Sequence, residues 1–474
     1  MVWAFGSDDI EGTLPTSQQG ATHTPQPTSG AISSSQALRR VFALALPISG
    51  SQASQYVLDL MVTAIVAPLG PTAVGAIGLG MWAHRVVACF ACMGMQFAVQ
   101  VVVARRAGEN NKRGAVAALN VGFLLVPMLI APAALLLSTQ AGGIFALLSN
   151  DADVVAVGTS FLTIRLYALC LESMEFAFRG FWYGLGRPGI AIRAVLCTHG
   201  VWLFLSWVFI LGKFGCPAMG TDGAAIAAVV AQPVGIAIHY LAARHYSGDG
   251  FLRHVPQFKL TVTRILRLIG SSGTNMFSLF LGVLLFYRIA AMLGTTALAA
   301  NHVVASLSGT VQVFLLGFGG AAATLVGQSL GQKDPVGAKR WAWRATVISV
   351  VVGCVAGIPF AVAPSMWIGL LMDNPSVVAV AVAPLIWTSL TYGLDAWGGT
   401  LSQALLGAGA ARAVMNAGLI SNLFIGVPLC YLAAVFFGEA GLVSVWVGRV
   451  IWKLVFTAVI MFLFHRGRWT SVRF

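Results

Sequence analysis

Apolar residues run along this chain in long unbroken blocks, separated by short polar breaks, with no sustained period-2 alternation. A block of about 20 apolar residues crosses a hydrocarbon core as a helix. Twelve such spans are predicted, at 41–66, 73–103, 115–138, 154–182, 189–211, 224–243, 264–292, 298–328, 341–365, 376–405, 413–436 and 442–464. Inside the first, Gln52, Gln55, Asp59 and Thr63 interrupt the pattern at offsets 0, 3, 7 and 11, which places them on one helical stripe. A polar stripe on a membrane helix implies a wet cavity.

Composition agrees with a membrane solvent: 58% of the 474 residues are hydrophobic, 9% are charged and mean hydropathy is +0.85. The expected fold is an all-α polytopic membrane protein of twelve transmembrane helices in two six-helix lobes. Residues 1–36 are polar and rich in Pro, Ser and Thr, without the basic start and apolar core of a signal peptide, and read as a disordered cytoplasmic tail. The lobes are expected at 37–246 and 264–465, with a cytoplasmic linker at 247–263 and a tail at 466–474.

The net charge of +13 is distributed as in a membrane protein and not as a nucleic-acid surface. Of 28 Lys and Arg, 21 fall on one side of the predicted spans or within their first few residues on that side, Lys213 alone falls on the other, and the remaining six lie within spans. The positive-inside rule makes the first side, with both termini, cytoplasmic. The reading is a multi-pass plasma-membrane protein, a bacterial inner membrane protein, acting as a monomer with no nucleic-acid partner. Seven cysteines form no framework, and the Cys89/Cys92 pair lacks a second ligand pair, so helix packing is favoured over a metal.

The chain is written twice. "VARRAGENNKRGA" at 103 aligns with "VGQSLGQKDPVGA" at 326, "LGPTAVGA" at 69 with "LGTTALAA" at 293, and "GLG" at 184 with "GAG" at 407, by shifts of 223 or 224. Six spans per copy keep the halves parallel, with a pseudo-two-fold axis along the membrane normal and a cleft between them.

These motifs, with "GLGRPGIAI", "GKFGCPAMGTDGAAIAAVVAQ" and "SQALLGAGAAR", resemble in order those of the multidrug and toxin extrusion (MATE) family, from about residue 36 to 465. The resemblance implies a V-shaped, two-lobe antiporter, not an enzyme, that expels small organic molecules in exchange for protons or sodium ions. The ion gradient drives it and no cofactor is implied. No HExxH or GxSxG motif accompanies the spans. A flippase for lipid-linked saccharides, from the same superfamily, is the alternative; acids in both halves favour export of a drug-like or metabolite-like compound.

Four acids lie inside spans: Asp59, Glu172, Glu175 and Asp395. Intramembrane carboxylates are coupling candidates by default. Glu172 and Asp395 match by the 223-residue shift, and Asp395 also matches the tenth-helix carboxylate that NorM-type members use in cation coupling. Asp395, Glu172 and Asp59 are therefore the cation-coupling candidates. Two alternatives stand: an ion pair of Glu172 with Arg165, and one of Glu175 with Arg179, four residues on in the favourable order. Asp59 sits one turn from the first-helix family position, which here is Val62; its alternative is a hydrogen bond to a neighbouring helix. Seventh-helix members of the family often carry a Glu eight residues after a Pro, positions that here read Leu279 and Ser271, and Trp202 stands roughly where some carry a cation-binding Asn, so proton coupling is favoured over sodium.

The substrate cavity is expected to include Gln52, Gln55, Tyr56, Asn275, Trp397, Arg85 and Arg288. Tyr56 and Trp397 would stack on a planar substrate or simply pack between helices. Arg85 and Arg288, if they face the cleft, favour acidic or zwitterionic substrates; otherwise they snorkel or pair with an acid. His84, His199, His239 and His302 are read as core or packing residues.

Overall fold

A computed structural model describes residues 33–149, 151–248, 251, 258–437 and 442–472, and these are all-helical. The expected tail 1–36 lies almost wholly outside them, as do residues 249–250 and 252–257 of the expected linker 247–263, whose last six residues are instead the start of a long helix. The long helices are α1 Ser34–Val66, α2 Pro71–Gly108, α3 Lys112–Thr139, α4 Ala152–Gly184, α5 Pro188–Leu211 and α6 Gly220–Ser247, then α7 Phe258–Met292, α8 Thr295–Gly331 and α9 Pro335–Val362. The last three are α10, in two parts Pro375–Leu390 and Tyr392–Gly407, α11 Ala411–Phe436 and α12 Leu442–His465.

Ten of these are individually long and apolar enough to span a membrane, and the bent pair of α10 makes an eleventh. The remaining helix, α1, has the length, 33 residues, but its polar stripe dilutes its hydropathy. Several helices outrun their apolar blocks. α1 begins at Ser34, where Ser33 and Gln36 form a capping box, and α8 continues to Gly331.

The repeat is visible in local backbone as well as in sequence. Gly70 and Gly294 open α2 and α8 with φ of 100° and 102°, a conformation that only glycine adopts freely. Asn111 caps α3 by accepting the Gly114 N–H at 2.7 Å, and Asp334 caps α9 by accepting the Gly337 N–H at 2.7 Å. Short helices at Ala141–Leu148 and Pro364–Gly369, absent from the sequence reading, start 223 residues apart in the connections that follow α3 and α9.

α10 was expected as one span and is broken, its halves meeting at 48°. Thr391 sits at the break with its hydroxyl donating to the Thr388 carbonyl at 2.9 Å, which diverts an acceptor from the backbone ladder. Asp395 therefore lies in the first turn of a new helix, where backbone N–H groups favour a carboxylate.

The lobes meet along α1 against α8 and α2 against α7, two contacts related by the pseudo-symmetry. At the ends of α2 and α8 they touch through glycine. A Cβ on Gly108 would lie 2.0 Å from the Gln328 carbonyl oxygen, and one on Gly331 would lie 2.2 Å from that of Arg105. Further hydrogen bonds zip this half shut: Ser49 donates to Phe314 O at 2.6 Å, Gln100 to Thr324 Oγ1 at 3.1 Å, and Gln328 to Gly184 O at 3.0 Å. Beyond these contacts the lobes line a shared cavity.

Candidate functional site

A cavity of about 600 Å³ lies between the lobes, lined by residues from both. Gln52, Gln55, Tyr56 and Asp59 of the α1 stripe all line it, while Leu58 on the other face is buried. Thr63 is not among the lining residues; its hydroxyl donates to the Asp59 carbonyl at 2.8 Å. All four intramembrane acids line the cavity, and each is joined to a base.

Asp59 is held on both oxygens, Oδ1 accepting from Gln55 at 3.0 Å and Oδ2 from the Arg85 guanidinium. Arg85 lies over the rings of Tyr56 and Trp82, at 5.5 and 5.7 Å from their centres. Arg85 thus both faces the cleft and pairs with an acid, two roles that the sequence offered as alternatives.

Glu172 is buried between two bases. Arg165 reaches Oε1 at 2.7 Å, and His84 Nε2 lies 2.8 Å from Oε2. Arg165 also stacks over Trp202, 5.0 Å from the ring centre. One turn along α4, Glu175 accepts from Arg179 at 2.5 and 3.1 Å, the local pair expected from their spacing.

In the other lobe Asp395 accepts from Lys453 Nζ at 2.7 Å, and the same ammonium donates to Thr391 Oγ1 at 3.1 Å. Lys453, from α12, therefore staples the break in α10. Asp395 and Glu172 correspond in the repeat, but their bases come from non-corresponding positions, so the two lobes neutralise a matched carboxylate differently.

Two expected cavity residues lie elsewhere. Arg288 is exposed on α7 and is not among the lining residues. Trp397 packs edge-on against Trp343 of α9 at 5.7 Å, and is likewise outside the lining. Trp397 follows Asp395 by two residues, about 200° around the helix, which turns it from the cavity. Asn275, by contrast, is buried at the cavity wall. Of the histidines, His84 is part of the Glu172 cluster, His199 lines the cavity and lies 2.7 Å from Ser54 Oγ, His302 lines it beside Tyr287, and His239 packs on Phe178.

Sequence reasoning assigned no role to Lys453 or Arg449, and it missed Tyr287, Gln312, Gln403 and Asn422 in the lining. One available signal was that Lys453 is the single lysine inside a predicted span. No spacing rule links it to Asp395, 58 residues earlier.

The MatE family model matches residues 47–208 and 271–432, once in each lobe and offset by the period of the repeat. The chain belongs to the MATE family of membrane transporters. A relative described as a probable multidrug resistance protein NorM, from Thermotoga maritima, is 25% identical over 441 residues, covering 91% of this chain and 93% of its own. Among solved structures, an outward-facing multidrug resistance MATE transporter of the MOP superfamily superposes with a TM-score of 0.81 at 19% identity, covering 94% of this chain and 99% of that one. A eukaryotic MATE transporter superposes with a TM-score of 0.82, also at 19% identity, over 92% of this chain and 97% of its own. In this chain the paired acids and bases lie in the cavity between the two matched lobes.

Proposed function

We propose that this MATE protein is a secondary active antiporter that exports small organic molecules in exchange for protons, with Asp395 as the principal coupling group and Glu172 and Asp59 as further ones. The reading places it as a monomer in a bacterial inner membrane with both termini cytoplasmic. On that topology the zipped half carrying Gly108 and Gly331 faces the cytoplasm, and the structure is outward-facing.

The observation that carries the reading is that every intramembrane carboxylate already has a fixed cation as its partner. A sodium ion needs several free oxygen ligands, as hard cations do, and would have to displace an ammonium or guanidinium from each candidate. A proton needs one oxygen lone pair. Protonating Asp395 removes the charge that holds Lys453 across the break in α10, so that α10 and α12 are released to move against each other. Rocking of the lobes would then open the glycine-lined contact and expose the cavity to the other side.

The test is transport in proteoliposomes. Wild-type protein should move substrate when a pH gradient is imposed and should release protons on substrate addition; Asp395→Asn should do neither while remaining folded. Equal transport by Asp395→Asn, or transport driven by a sodium gradient at constant pH, would overturn proton coupling at this carboxylate.

A further inference from the structure

The C-terminal half of the cavity carries a cluster of donor side chains on α12. Trp446, Arg449, Trp452 and Lys453 of α12 all line it, and spacings of 3, 3 and 1 place them on one helical face. Lys453 is satisfied by Asp395 and Thr391. The other three are not.

Among the described residues, no carboxylate lies within ion-pair distance of Arg449; its guanidinium lies over Phe286 and Trp446, at 4.4 and 4.7 Å from the ring centres. The indole N–H groups of Trp446 and Trp452 are buried and have no acceptor. Indole and guanidinium nitrogens only donate, so neither kind can satisfy the other. A native interior leaves few such groups unpaired, and an intramembrane cation without an acid partner marks a place where an anion or water is met.

We infer that this half of the cavity binds planar organic anions, in particular aromatic carboxylates. A carboxylate offers the two acceptor oxygens that a guanidinium fork receives in parallel. The Phe286 and Trp446 rings that hold Arg449 in place present apolar walls to a planar body. Asp395, the carboxylate in this half, is paired to Lys453 at 2.7 Å, and the acids of the other half are each paired to a base of their own. The inference rests on the exporter reading only in treating the bound anion as cargo.

Two probes of the same size and opposite charge test it: 1-naphthoate and 1-naphthylmethylammonium, titrated into the purified full chain in lipid nanodiscs. Wild-type protein should bind naphthoate roughly tenfold or more tightly than the ammonium probe, a comparison independent of any variant's folding. Arg449→Gln should weaken naphthoate by about ten- to a hundredfold and leave the ammonium probe unchanged or tighter, with Arg449→Lys intermediate because it keeps the charge and loses the fork. A preference for the ammonium probe, wild-type naphthoate affinity in Arg449→Gln, or no naphthoate binding up to about millimolar concentration would each overturn the assignment. If naphthoate binds through Arg449 and no ion gradient moves it across liposomes, the anion site stands and the exporter reading fails.

Discussion

Lys453 stands 2.7 Å from Asp395, the ammonium of one helix closing on a carboxylate in the first turn of another. Both side chains are largely shielded from water, so removing either strands its partner. Lys453→Met and Asp395→Asn should each lower stability, Lys453→Met more because it leaves an uncompensated carboxylate; losses of this kind run to about 3–5 kcal/mol. The double variant should recover most of the loss. Thermal unfolding of the purified proteins, followed by tryptophan fluorescence, gives the comparison. A double variant no more stable than the worse single would mean that the two residues do not depend on each other.

Gly108 and Gly331 close the zipped half by allowing backbone to approach backbone. Gly331→Val should force the α2 and α8 ends apart, because its Cβ would fall 2.2 Å from the Arg105 carbonyl oxygen. Spin labels on the inner ends of α3 and α9 should then report a longer mean distance than in wild type. An unchanged distance distribution would rule out a role for the glycine contact in holding this side shut.

The α1 stripe makes a prediction about access. Cysteines replacing Gln52, Gln55 and Asp59 in a cysteine-free background should react with a membrane-impermeant thiol reagent added from the open side, and one replacing Leu58, which is 3% exposed, should not. Uniform protection would mean that the cavity is closed in the membrane.

Topology follows from the distribution of lysine and arginine. Reporter fusions after Gly108, Gly331 and Arg468 should report cytoplasm, and fusions near Asp151, Asp222 and Asp373 the other side. A non-cytoplasmic Arg468 fusion would contradict the even number of spans.

Arg288 serves as an internal control. It lies outside the cavity, so Arg288→Gln should leave transport within about twofold of wild type, whereas Arg85→Gln should impair it by releasing Asp59. Equal impairment by the two would show that charge at this depth matters irrespective of placement.

The linear chain by itself determined the class and the plan: hydrophobic blocks of membrane length fix helices, the 223-residue repeat fixes two parallel halves, and the lysine and arginine distribution predicts orientation. It also located the polar stripe and the four intramembrane acids, because a polar residue in an apolar block is visible without any knowledge of its neighbours. Two local pairs were legible for the same reason. Glu175 with Arg179 and Glu172 with Arg165 lie on one helix, whose period converts spacing into proximity. Partnership across helices was not. The pairing of Asp395 with Lys453, of Asp59 with Arg85 and of Glu172 with His84 depends on which helix faces contact, and packing between helices carries no period along the chain. The exclusion of Trp397 and Arg288 from the cavity has the same origin. Whether a polar group inside the bundle faces water, a partner or a neighbouring ring is decided by the rotation of its helix in the fold.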